Sequence, residues 1–185
     1  MESIMPFDEL NAVTAKLKEA FPDGKLVFND DYEDILDMLL DLFLLAFTRG
    51  NQITNMNLGT EWNLTSDDAA ETINKKVAGK TWKERVKEYF SSEGTVDDLI
   101  RIAETETHRD ANTAALETAK KAGATSKTWI TMLDEKVRST HEYLEGMTVG
   151  IDDEFYTYDG DHAFAPGLFD LAENNVNCRC ELLFS

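Results

Sequence analysis

Four of the five cysteine and histidine residues of this 185-residue chain fall after Gly123: His141, His162, Cys178 and Cys180. The two cysteines are one residue apart. On a strand they would face the same side with Cα atoms about 6.6 Å apart. That is the long edge of what a disulfide spans, so a reduced pair fits better than a bridge. Two thiolates on one face can chelate one ion, and with His141 or His162 completing a tetrahedral set the ion such donors take is zinc. Most structural zinc sites use two separated ligand pairs, however, and only one pair is present. The competing reading has small buried thiols, with His141 hydrogen-bonded to Asp134 or Asp153. A Cys–His nucleophile pair would need His141 beside a thiol in an open cleft. The acids Asp152, Asp153, Glu154, Asp159 and Asp161 lack the calcium-loop spacing and read as a solvated rim. No phosphate-binding glycine loop, serine elbow or His-Glu-x-x-His pair occurs.

These groups must be positioned by the segments around them. Lys127 to Met132 has the β-branched and aromatic content of a strand. Asp134 to Gly146 has helical spacing, with Leu133, Val137, Thr140 and Leu144 facing the core and Asp134, Arg138, His141 and Glu145 sharing the adjacent flank. Extended segments follow, ending near Ile151 and over Phe155 to Tyr158. A turn at Asp159-Gly160, an ordered loop through Pro166-Gly167, at most one helical turn over 171–175, and a strand from Cys180 to Phe184 complete the region.

Upstream the pattern is helical. Phe7, Leu10, Val13, Leu17 and Phe21 predict a helix stopped by Pro22-Asp23-Gly24. Asp30-Asp31 place negative charge at the start of a second helix, expected to run to Thr48 before Gly50. That helix is apolar on most sides, which predicts burial in its own core or against another chain. Asn51 to Thr65 reads as a loop. Helices are expected from Ser66 to Val77 with Gly79 as stop, from Trp82 to Phe90, and from Thr95 to Lys121 with Gly123 as stop. The last carries the stripe Val96, Leu99, Ile100, Ala103, Thr107, Ala111, Ala114 and Thr118, whose small residues require a close neighbour. Glu104, Glu106, His108 and Arg109 on the same helix are expected on a solvated face.

The composition, 42% hydrophobic, is enough for a core of ordinary size. The formal net charge is −18, and from Thr140 to Ser185 ten acids face one base, Arg179. Such a field repels phosphate backbones, so direct binding to bare nucleic acid is not expected. The longest apolar run, Met38 to Phe47, contains Asp41 and falls well short of the roughly 20 residues that span a bilayer, so no membrane helix is expected. The start, Met1 to Pro6, lacks a basic stretch followed by an apolar one, so no signal peptide and cytoplasmic synthesis are expected.

Taken together, Lys127-Thr128-Trp129, Asp134, Val137-Arg138, His141, Gly146, Asp153-Glu154-Phe155, Pro166-Gly167 and Asn177-Cys178-Arg179-Cys180 resemble the phage head morphogenesis family, the Mu F-like minor head proteins of tailed phages. The preceding Thr105-Glu106-Thr107, Asn112 and run of alanines are similar to the helix leading into that domain. The chain is expected to be α+β: a helical N-terminal region (1–94), which the resemblance does not cover, then a long helix leading into a small domain with a short antiparallel sheet (95–185), the part that resembles the family. The resemblance implies a capsid-associated protein in the virion head, made in the host bacterial cytoplasm, that binds portal or inner capsid protein and supports head assembly or DNA delivery. It does not establish an enzyme. The rival expectation is a metal-dependent hydrolase or toxin-like nuclease centred on His141, Cys178 and Cys180, and a third is a protein-binding module using the helix from Asp31 to Thr48.

Overall fold

The computed structural model describes residues 2–29, 31–77 and 79–185. Five helices come first: α1 (Phe7–Ala20), α2 (Tyr32–Leu58), α3 (Ser66–Ile73), α4 (Trp82–Ser91) and α5 (Val96–Lys121). They lead into β1 (Ser126–Ile130), α6 (Ser139–Glu142), β2 (Thr148–Gly150), β3 (Phe155–Tyr156), β4 (His162–Ala163), α7 (Ala172–Asn175) and β5 (Glu181–Phe184). The chain is α+β. β1 is the centre of an antiparallel sheet ordered β2-β1-β5, and β3 pairs with β4.

Where helix termini have local side-chain partners, the spacing rules hold. Thr65 and Asp68 form a reciprocal capping box at α3, and Thr81 and Glu84 do the same at α4. Each satisfies two amide donors that the first turn would leave without partners. α5 ends near Gly123, whose φ of +81° suits a residue without Cβ. Asp30 lies outside the described residues, and Asp31 is the N-cap of α2.

α2 departs from its expected length. It continues through Asn51 to Leu58 and stops at Gly59, φ +67°. Gly50 is no stop signal: a Cβ there would lie 2.2 Å from the Ala111 carbonyl oxygen on α5. It is the point where α2 and α5 touch backbone to backbone. The asparagines that suggested a loop serve tertiary contacts. Asn51 donates to Thr118 Oγ1 at 2.7 Å, and Asn55 donates to the Trp62 carbonyl at 2.7 Å while accepting from its amide at 2.9 Å.

The long helix α5 holds both halves of the core. The first cluster joins Leu10 and Leu17 of α1, Leu39 and Phe43 of α2, Trp82 and Val86 of α4, and Leu99 and Ala103 of α5. Phe43 meets Trp82 edge to face at 5.2 Å, worth about 0.5–1.5 kcal/mol beyond the area it buries. The second cluster gathers Leu116 of α5 with Trp129, Leu144, Phe155, Phe169, Cys178, Cys180 and Leu182. In β1 the alternation buries Lys127 and Trp129 on one face. Trp129 pairs with Leu182 across to β5 and stacks edge-on with Phe155 at 5.1 Å.

The expected stripe of α5 is buried throughout, but its supposed solvated face is not. Residues 106–112 are buried without a break, while Glu104 is only half-buried. α1, α2, α3, α4 and β5 all pack on this helix, so few of its sides reach water.

Asp134 to Gly146 is not the continuous helix its spacing predicts. Leu133 has φ +51° and its side chain is 78% exposed, so it lies outside the core. Asp134 Oδ1 accepts from the Lys136 amide at 3.0 Å, and only Ser139–Glu142 is helical. A short acidic side chain that bonds its own backbone two residues on competes with helix formation.

Candidate functional site

The site is assembled from two short segments. α6 supplies His141, and the loop between α7 and β5 supplies Cys178 and Cys180. Arg138, at the N-cap of α6 in an extended conformation, donates through Nη1 and Nη2 to the carbonyls of Glu173 and Val176, each at 2.5 Å. It thereby binds the end of α7 beside α6. Asn177 follows with φ +57°, a left-handed conformation that asparagine tolerates better than most residues, and this turn aims the next side chain inward. Arg179 points the other way, gripping Asp134 with two bonds of 2.7 and 2.6 Å. That grip holds the Asp134 carboxyl below its ordinary pKa.

The consequence is a close triad. Cys178 Sγ lies 3.5 Å and Cys180 Sγ 3.4 Å from the same atom, His141 Nδ1. One ligand atom from each of the three residues lies within 4.8 Å of the other two, and all three residues are buried. Phe169 stacks on the imidazole at 5.3 Å and Trp129 meets it edge-on at 5.4 Å, which fixes the ring plane. Both cysteines are free thiols. Burial pushes the Cys178 thiol up, but bonds from the Cys180 side chain and backbone, with the charges of Arg138 and Arg179, outweigh it and hold the group below its usual value. Cys180 is raised, first by its bond to Cys178 and then by burial.

A second, unanticipated set of buried polar groups on α5 supports the first. His108 Nε2 donates to the Cys180 carbonyl at 2.7 Å, and Asn112 Nδ2 donates to the same oxygen at 3.3 Å. The backbone just after the second thiol is therefore anchored on the long helix. Gly167, φ +85°, fits against the same turn, since a Cβ there would stand 3.0 Å from Arg109 Cα and 3.2 Å from His108 Nδ1. On the far side of that turn Glu106 joins Arg85 and Arg109, each at 2.5 Å, and Arg109 also holds Asp110 at 2.8 Å. Burial raises Asp110 to about 7 against the pull of Arg109. Helical spacing placed these charges on α5 but carries no sign that five elements enclose it.

The remaining motif residues lie outside the triad. Phe155 and Pro166 are buried. Asp153 closes the turn after β2, its amide donating to the Gly150 carbonyl at 3.0 Å. His162 is not part of the triad: its Nδ1 is 3.2 Å from Glu154 and its Nε2 3.8 Å from Asp170. Neither Asp134 nor Asp153 bonds His141.

The three residues suit a thiophilic metal by donor type, two sulfurs and one imidazole nitrogen. A cavity of about 10 Å³ borders all three side chains, together with Lys136, Arg138 and Arg179. Cys178 also borders a larger cleft of about 650 Å³, lined by Phe7, Leu10 and Glu104 among others. Among the described residues, no helix is long and apolar enough to cross a membrane.

Residues 54–183 match the Phage Mu protein F like protein family. Over 85 residues the chain is 34% identical to Minor head protein GP7 of Bacillus phage SPP1, an alignment covering 44% of this chain and 28% of that protein. Over 93 residues it is 37% identical to NAD(+)–arginine ADP-ribosyltransferase EFV of Enterococcus faecalis, covering 48% of this chain and 19% of that one. The chain thus spans less than a third of either relative. No solved structure matches it. Because the matched region takes in α5, the triad and every strand, the chain belongs to the Phage Mu protein F like family.

Proposed function

We propose that this protein is a phage minor head component that binds the portal or the inner capsid and supports head assembly or DNA delivery. The observation that carries the reading is the family match over residues 54–183, reinforced by a relative named as a minor head protein. A net charge of −18 supports a protein partner over bare DNA. A groove of about 490 Å³ between α1 and α2 supports a protein partner: Val13, Met38, Leu42 and Leu45 line it, and Glu9, Asp34, Asp37 and Asp41 flank it beside a single Lys16. Charge complementarity makes its occupant a basic amphipathic helix of the portal or capsid protein.

The shared segment with the ADP-ribosyltransferase is only 19% of that protein, so no transferase activity is carried over. The space bordered by all three triad residues is about 10 Å³, room for about one water. Zinc, the cofactor that suits this donor set, would serve here as a structural tie that joins α6 to the loop before β5.

Co-purification with the portal and capsid proteins of the same phage tests the reading. A complex is expected with one of them, weakened at least tenfold by Asp37→Lys with Asp41→Lys. Absence of any complex at about 10 µM, together with unchanged particle yield on deletion, would remove it.

A further inference from the structure

Two sulfurs at nearly equal distance from one ring nitrogen ask for an explanation. A thiol network can supply both contacts only through weak sulfur bonds, one S–H donating to the Nδ1 lone pair and the other to the neighbouring sulfur. A tetrahedral ion accounts for both. With metal–nitrogen bonds of about 2.05 Å and metal–sulfur bonds of about 2.3 Å, nitrogen and sulfur ligands stand about 3.6 Å apart. The observed spacings of 3.4 and 3.5 Å are within 0.2 Å of that value.

The surroundings complete the case. All three ligands are buried, and the imidazole is held by Trp129 and Phe169, so little side-chain freedom is left to lose on binding. The cations bordering the cavity are largely committed elsewhere, Arg179 to Asp134 and Arg138 to two carbonyls. Two thiolates and a divalent ion sum to zero charge, a state that a buried site accepts far more readily than a bare cation. Among the described residues no fourth protein ligand joins the group, and His162 is engaged with Glu154. A space of about one water borders all three residues and offers room for a solvent ligand.

We propose that His141 Nδ1, Cys178 Sγ and Cys180 Sγ form a three-ligand tetrahedral site for one thiophilic divalent ion of the zinc class, with solvent in the fourth position. This rests on the zinc assignment above and adds to it which atoms bind and that one position stays open. Because the Cys180 carbonyl is held by His108 and Asn112, the ion also fastens α6 to α5 through the cysteine loop. The open position favours a small exchangeable ligand over a fourth side chain.

Cobalt(II) substituted into the full-length protein is the probe. The expected result is one equivalent bound, with a near-ultraviolet thiolate-to-metal band and intense visible bands of tetrahedral cobalt. Azide should shift the visible bands by entering the open position. Cys178→Ser and Cys180→Ser should each weaken cobalt binding at least a hundredfold while circular dichroism confirms folding, and His162→Ala should leave it unchanged. No stoichiometric binding to the wild type would overturn both the site and the zinc assignment. Binding that His162→Ala abolishes, or spectra that azide does not alter, would keep the zinc assignment and overturn the open three-ligand site.

Discussion

Replacing Gly50 with alanine sets two physical effects against each other, and the structure decides the sign. In an unobstructed helix interior, alanine is favoured over glycine by about 1 kcal/mol. At Gly50 the new Cβ would stand 2.2 Å from the Ala111 carbonyl oxygen and 3.0 Å from its carbon, where carbon and oxygen ordinarily meet no closer than about 3.3 Å. The obstacle is backbone, so no rotamer change relieves it. α2 must retreat from α5 by about 1 Å, and a gap of that size forfeits a quarter to a half of each dispersion contact along the seam. Overpacking of this kind costs about 1–3 kcal/mol. Its upper end applies here, because α2 and α5 share the most extensive contact in the chain. The net expectation is a loss of about 2 kcal/mol, or about 4–8 °C in Tm for a chain of this size. Urea denaturation followed by tryptophan fluorescence checks it, since Trp82 packs on Phe43 of α2. Adding Ala111→Gly should not rescue the variant, because the carbonyl remains. A Gly50→Ala protein as stable as the wild type, or more so, would refute the reasoning that this glycine exists for helix contact.

The buried charges on α5 give two further tests. Glu106→Ala would leave Arg109, 3% exposed, without its nearest carboxylate, and should cost about 3–5 kcal/mol by chemical denaturation; Glu88→Ala, which removes the exposed partner of Lys80, should cost less than about 1 kcal/mol. Asp110, raised to about 7 chiefly by burial, keeps its proton in the folded chain across a window where the unfolded carboxyl has lost it. Its contribution is therefore fully present below about pH 4, declines as pH rises to about 7, and is flat above. Asp110→Asn should remove up to roughly 4 kcal/mol of that slope, read as converging urea midpoints between pH 4.5 and 7.5; an unchanged slope would show that Asp110 ionises normally.

What the sequence disclosed depended on whether a segment's partners were local. The bounds of α1 follow from periodicity and those of α4 and α5 also from caps lying three residues away, and these were legible. α2 was cut short because Gly50 and Asn51 look like a helix end, whereas their partners, Ala111 and Thr118, lie about sixty residues downstream. The segment after Leu133 was read as helix because Val137, Thr140, His141 and Leu144 keep helical spacing. Its course is set instead by Asp134 reaching Arg179 and by Arg138 reaching Glu173 and Val176. The triad was visible as residue types, and the choice of His141 over His162 was not, since it depends on how α7 folds back beside α6. Nothing in the spacing of Glu106, His108, Arg109 and Asp110 separates a solvated stripe from a buried network. That distinction belongs to the helices packed around α5.

The contact between the start of the chain and β5 has a kinetic side. Ser3 Oγ donates to one oxygen of Glu181, and the Ile4 amide to the other at 3.4 Å, joining residues 178 and 177 positions apart. Closing so long a loop has to wait until most of the intervening chain has ordered, because until then the entropy it would cost has nothing to offset it. The clasp is therefore a late event in folding, and it sits on the strand that directly follows Cys180. A chain built this way fastens its first residues beside its cysteines only once the intervening helices are in place.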